Sequence, residues 1–327
     1  MPDESETDRA DRPLYSRLLR PRHLIALAVA VGTAAGFFVV AKQMGASVVE
    51  AATTPSWGYL FGAFAAWIVI QPLRALLWKL TMRQPVEFRA IYAASAVGSF
   101  LDTIVPGRLG EVSKLGILRV AAGPSWPGLP VAGGSLLCKH LLDGIAFALV
   151  GAAAAFFLPI PMWGRLTLIA VAVLAAAAMA GSGSLHRRVG HRLPPSVDTF
   201  FARATAPRGV LVRGSVVALA TWLVKWAAVF CLLQAVGVEA TLGTAMLYLL
   251  MTALAGVAPL LPGNAGLYQG AAVGALAAVG QAGANAVAAS LLAPAVGSVA
   301  AATAALVAFL WYGRHFAAIP RAALQRA

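Results

Sequence analysis

The sequence predicts an all-α polytopic membrane protein. It reads as about six full spans plus two re-entrant helical hairpins in an inverted-topology repeat, eight to ten membrane helices in all. Three observations carry this. The 327 residues are 60% hydrophobic and only 11% charged, with a mean hydropathy of +0.80, where a soluble domain carries about 25% charge. The pattern Pro-Gly-x-x-Gly interrupts two apolar segments, at Pro106–Gly110 and again at Pro262–Gly266, 156 residues downstream. The Lys and Arg residues are strongly partitioned between alternate loops. The chain has no room for a substantial soluble domain, so one membrane domain at 24–313 is expected.

Residues 1–23 are polar, acidic first and then basic at Arg17, Arg20 and Arg22, which fits a disordered cytoplasmic tail better than a signal peptide. The first span is read over 24–41. The second runs from about Trp57 to Leu80, with Gly58 and Gly62 spaced for close helix packing and Arg74 in its inner third. Phe88–Val105 leads into the first Pro-Gly break and Glu111–Val120 returns from it. Val131–Leu158 is a long span carrying Lys139 and Asp143, which share a helix face at i, i+4 and are expected to pair. Leu166–Gly181 is a further span. The loop at 183–213 is polar and Arg-rich and is read as cytoplasmic. Gly214–Val236 is a span with Lys225 amid Trp222, Trp226 and Phe230. Leu242–Leu261 leads into the second break and Leu267–Val279 returns. Ala286–Tyr312 is the last span, and 314–327 is a second cytoplasmic tail. Cys138 and Cys231 lie in apolar runs with no Cys-x-x-Cys, and read as small core residues.

With the amino terminus inside and each Pro-Gly stretch a hairpin, 17 of the 25 Lys and Arg residues fall on the cytoplasmic side and two outside. Such a bias supports a plasma (inner) membrane protein with both termini cytoplasmic. The charge rule does not choose between a hairpin and a pair of full crossings. If both breaks are hairpins, the first enters from the cytoplasm and the second from outside. Units of about 57–158 and 214–312 are then related by inverted topology, the arrangement that permits alternating access.

Four stretches carry a resemblance: Pro106–Glu111, Lys139-His140-Leu141-Leu142-Asp143, the Arg74-bearing span, and Pro262–Gln269. Together they resemble the transmembrane flippase-like domain of the lysylphosphatidylglycerol synthase family, over roughly residues 20–315. The chain departs from the family in two places. Lys139-His140 stands where the family usually reads Glu-Arg, and Gln269 stands near a position that often holds Glu. The resemblance implies a stand-alone bacterial membrane domain that moves a lipid between leaflets. It brings no cofactor.

The residues point the same way. A charge at bilayer depth costs about 2.5–3.5 kcal/mol on insertion scales and persists where it faces protein or water. Arg108, Glu111 and Lys114 follow the first break, where a half-helix should begin with free N–H groups and the positive end of its dipole. Such ends bind anions. The expected headgroup site is therefore Arg108 and Lys114 with the backbone at Gly107 and Gly110, and with Gly263, Asn264 and Gly266 at the second break. Glu111 and Asp143 balance charge or carry a proton; Arg74, Lys139 and Lys225 line the path. His140 reads as a buried hydrogen-bonded residue. No phosphate-binding loop and no zinc motif is present, and the net charge of +13 comes with no folded basic module for nucleic acid. The expected partners are the membrane and a phospholipid or polyprenyl-linked lipid. A transporter is expected rather than an enzyme. Two alternatives remain open: an accessory subunit of a glycosyl- or aminoacyl-transferase, or a lipid-modifying transferase using Glu111 or Asp143 as base.

Overall fold

A computed structural model describes residues 50–51, 54–104, 109–157, 161–167, 169–170, 173–174, 177, 194–256 and 266–316. The expected first span at 24–41, the tail at 1–23, nearly all of the tail at 314–327 and both Pro-Gly turns lie outside these residues. The expected span at 166–181 is described only in pieces.

The described residues are helical, with no strand. The helices with described bounds are, in chain order, α1 (Trp57–Met82), α2 (Phe88–Ile104), α3 (Leu109–Ala122), α4 (Leu129–Phe157), α5 (Pro195–Ala204), α6 (Arg208–Ala235), α7 (Leu242–Ala255), α8 (Leu267–Ala277) and α9 (Ala284–Phe316). Four of them, α1, α4, α6 and α9, are long and apolar enough to cross a membrane. The four helices flanking the two breaks are shorter. At 1.5 Å per residue the 17 residues of α2 rise about 25 Å, and the 14 of α3 and of α7 about 21 Å. All fall short of the ~30 Å hydrocarbon core. The order long, short, short, long therefore occurs twice.

Helices α1 and α6 form the central, antiparallel pair. The N–H of Ser56, just before α1, donates to the carbonyl of Ala235 at the end of α6 (2.8 Å). Leu77 near the end of α1 approaches Gly214 near the start of α6. The seam is lined by small residues: Gly62 lies against Cys231, and Ala63, Ala218 and Ala228 are fully buried. Without a hydrophobic drive between helices in lipid, this close backbone approach is what van der Waals packing needs.

The short pairs dock at opposite ends. The start of α2 and the end of α3 share a buried cluster with the end of α1 and the start of α4, through Met82, Ala90, Ile91, Leu118, Ala132 and Leu136. The start of α7 lies instead by the end of α6, where Trp226 Nε1 donates to the Leu242 carbonyl (3.0 Å). The end of α8 leads into α9, whose Asn285 donates to the carbonyl of Gly237, just after α6 (3.0 Å).

The polar loop before α6 holds an element that the apolar pattern does not report. Helix α5 is amphipathic and sits on α4, where Gly133 and Gly134 leave room for Phe200 and Arg203. Arg83, in the left-handed conformation that ends α1 (φ 52°), donates from Nη2 to the carbonyls of Ala202 and Arg203 (3.1 and 3.0 Å). A guanidinium at a helix C-terminus meets carbonyls that have no partner within the helix. Helix α6 also begins earlier than the apolar run suggests, at Arg208 in place of Gly214. Pro207 stands at its N-cap with φ −66°, preset for a helix start, and the helix runs past the apolar stretch into a basic end.

Candidate functional site

Eight ionisable side chains from five helices form one cluster, seven within the bundle and His140 at its edge. They are Arg74 on α1, Asp102 on α2, Glu111 and Lys114 on α3, Lys139, His140 and Asp143 on α4, and Lys225 on α6. The α2/α3 hairpin brings the first carboxylates and Lys114 together. Gly98 and Gly110 face each other where the two helices cross. A Cβ on Gly110 would run into the Asp102 carboxylate and the Gly98 carbonyl, and one on Gly98 into the Lys114 side chain. Because both positions are bare, Lys114 lies over Gly98 and Asp102 over Gly110. The Lys114 ammonium reaches Asp102 Oδ2 at 3.7 Å and also pairs with Glu111 Oε1 in the first turn of its own helix.

Glu111 extends the cluster to α4. Its second oxygen lies 3.2 Å from His140 Nε2, so one carboxylate joins two helices. The expectation of a buried histidine is corrected here. The His140 side chain is 43% exposed and hydrogen-bonded at the edge of the cluster, because Glu111 lies within reach of that outer face.

The expected pairing of Lys139 with Asp143 is also corrected. Asp143 Oδ2 is 3.8 Å from Lys225 Nζ on α6. Lys225 is 6% exposed and its ammonium lies 3.6 Å from the ring centroid of Trp222, a cation–π geometry. The indole is held in place: its Nε1 donates to the Asp143 carbonyl (2.9 Å), and Phe147 packs on its face with centroids 4.4 Å apart. Sequence spacing within α4 cannot register a partner presented by another helix. Lys139 itself is 5% exposed and makes no hydrogen bond or ion pair among the described residues. Its charged neighbours are Lys114, Glu111, Asp143 and Arg74. Arg74, half-buried, acts electrostatically on Asp102, Lys139, Asp143 and Lys225 alike. One turn before it, Gln71 is buried with its side-chain oxygen unpartnered, as is one oxygen of Asp102.

The structure thus brings together Arg74, Glu111, Lys114, Lys139, Asp143 and Lys225 from the sequence-predicted set, and places Gly110 at the α2/α3 crossing. Gly266 stands apart at the start of α8. It has φ 85°, a value that favours glycine, and its N–H donates to Gln269 Oε1 (2.6 Å). Gln269 therefore satisfies one of the donors a helix start leaves free. Gly107, Arg108, Gly263 and Asn264 lie outside the described residues. Sequence reasoning undervalued Asp102, His140 and Trp222. Asp102 carried a signal, an acid four residues before a helix-breaking Pro-Gly; Trp222 carried one only as an aromatic three residues from a lysine. Among the described residues no group of His, Cys, Asp and Glu is arranged to hold a metal ion.

The family described as Lysylphosphatidylglycerol synthase TM region matches residues 25–305 of the sequence. Neither a curated protein nor a solved structure matches it.

Proposed function

The chain belongs to the family of the lysylphosphatidylglycerol synthase TM region, and on that premise we propose that it carries an anionic or polyprenyl-linked lipid between membrane leaflets. The buried charge cluster is the observation that carries the reading. Seven ionisable groups, with His140 at the edge, are gathered where a membrane protein could bury apolar side chains at less cost. They come from α1 to α4 and from α6, so the cluster bridges the two halves of the chain. An anionic headgroup would meet Arg74, Lys114, Lys139 and Lys225 there, with Glu111 and Asp143 balancing charge.

The hairpins supply the moving parts in this reading. Each short pair is re-entrant, α2/α3 from the basic end of the bundle and α7/α8 from the opposite end. The halves form an inverted repeat about the antiparallel α1/α6 pair, which lets either half rock against the other. The basic end, with Lys79, Arg83, Arg89, Arg203 and Arg208, is cytoplasmic on the positive-inside rule. The Pro-Gly turns add headgroup contacts through Arg108, Gly107, Gly263 and Asn264.

The test is leaflet exchange of a labelled anionic lipid in vesicles holding the purified protein, with wild type compared against Lys114→Met. Exchange that depends on protein and falls at least ten-fold in the variant supports transport. No exchange of any anionic or polyprenyl lipid by folded wild-type protein overturns it.

A further inference from the structure

Resting on the reading of the cluster as the place where an anionic guest binds, we infer that Asp102 is a proton-binding site, and that the guest binds together with a proton. The observation is an oxygen without a donor. Asp102 Oδ1 is buried and makes no hydrogen bond, although the residue stands deep in the hairpin, about 21 Å along α2 from Phe88 at 1.5 Å per residue. It does not face open space. A Cβ on Gly110 would strike both Oδ1 and the carbonyl oxygen of Gly98, so the two oxygens border the same small volume. Both are acceptors, and with Asp102 ionised neither can donate to the other. One proton resolves this. A protonated Oδ1 becomes a donor for the Gly98 carbonyl, the back-bond that Ser and Thr hydroxyls make to the carbonyl four residues earlier. The O–H bond forms on Oδ1 with a proton taken from water, which has access because the side chain is 28% exposed.

The groups around the carboxyl make its proton answer to the guest. From α3 come the Lys114 ammonium, 3.7 Å from Oδ2, the Glu111 backbone N–H and the Glu111 carboxylate; from α1 comes Arg74. On α4, His140 and Lys139 act on Glu111. Helix α9 also packs on α2, and brings no ionised side chain before Arg314. Arg108 lies outside the described residues. An anion that binds Lys114 takes up part of the charge facing Asp102 and sets a negative charge beside it. Guest and proton therefore favour each other's binding, and by linkage each does so by the same factor. The other two carboxylates are already engaged, Glu111 by Lys114 and His140, Asp143 by Lys225. A metal cation is a poorer occupant than a proton, since Lys114 and Arg74 already stand beside the carboxylate.

The experiment adds short-chain phosphatidylglycerol, as a probe anion, to the full-length protein in weakly buffered micelles near neutral pH, and reads proton uptake with a pH-indicator dye. Wild type is expected to take up protons, approaching about one per bound lipid. Asp102→Asn should take up none: its amide can occupy the same place and donate to the Gly98 carbonyl, but it cannot ionise. If that variant does not fold, Asp102→Thr, which offers a hydroxyl there, decides. No uptake by wild type, whether or not the probe binds, overturns the inference. Uptake that persists in Asp102→Asn also overturns it, and its loss in His140→Gln would move the site to the histidine. In vesicles, acidifying the side that a labelled phosphatidylglycerol leaves should speed its crossing about five-fold or more in wild type and not at all in Asp102→Asn; an equal response in both counts against Asp102. Failure of the transport reading looks different. Proton uptake on binding with no leaflet exchange removes transport and leaves this site, whereas exchange that ignores the gradient, without proton uptake, does the reverse.

Discussion

Lys225 keeps two companions of different character, a carboxylate at 3.8 Å and an indole face at 3.6 Å. Removing one partner of a buried pair leaves the other uncompensated, at a cost of about 3–5 kcal/mol in comparable cases, while replacing both is far milder. Asp143→Asn and Lys225→Met should therefore each lower thermal stability in micelles, and the double variant should recover much of the loss; additive losses would show that the two do not act as a pair. The charged residues of this cluster were legible in the sequence because each interrupts an apolar run, where a charge needs a reason. Their pairing was not. Asp143 finds Lys225 and Glu111 finds His140 across helix interfaces, and spacing along one helix carries no information about a neighbour that arrives from elsewhere in the chain.

At the scale of elements, the α2/α3 hairpin depends on two bare positions. Gly110→Ala would push a methyl group into the Asp102 carboxylate and the Gly98 backbone. The expected cost is about 1–3 kcal/mol, as for other overpacked sites, together with loss of the Asp102–Lys114 contact. A melting curve checks the first effect. The second is checked by Asp102→Asn, which should cost less in the Gly110→Ala background than in wild type. At the other break, Gln269→Ala removes the acceptor of the Gly266 N–H and should cost about 1 kcal/mol, the usual scale of a lost cap. The short helices α2, α3 and α8 were legible to within about two residues at each end, because Pro and Gly end a helix for local reasons; α7 ends at Ala255, six residues before the expected Leu261. Helix α5 was not legible: it is polar overall, and what holds it is the Arg83 guanidinium on its last carbonyls, a contact 119 residues away in sequence.

For the whole molecule, the arrangement of the two hairpins can be read by labelling from either side of the membrane. Glu87 precedes α2 and Ala282 lies between α8 and α9, both exposed. With the two native cysteines replaced, Glu87→Cys should react with an impermeant thiol reagent only in inside-out vesicles, and Ala282→Cys only in right-side-out ones. Reaction of both from one side would exclude the inverted arrangement. The antiparallel α1/α6 pair also bears on how the chain is made. Roughly 150 residues separate the end of α1 at Met82 from the end of α6 at Ala235, an interval of about 8–30 s at ~5–20 residues per second of synthesis. Throughout that interval α1 has left the ribosome, but its principal mate has not. Its glycine-alanine seam faces lipid or an insertase, and the acceptor for the Ser56 N–H does not yet exist. A nascent chain arrested before Arg208 is therefore an orphan in the bilayer, and in a pulse-chase it should be degraded far faster than the finished protein.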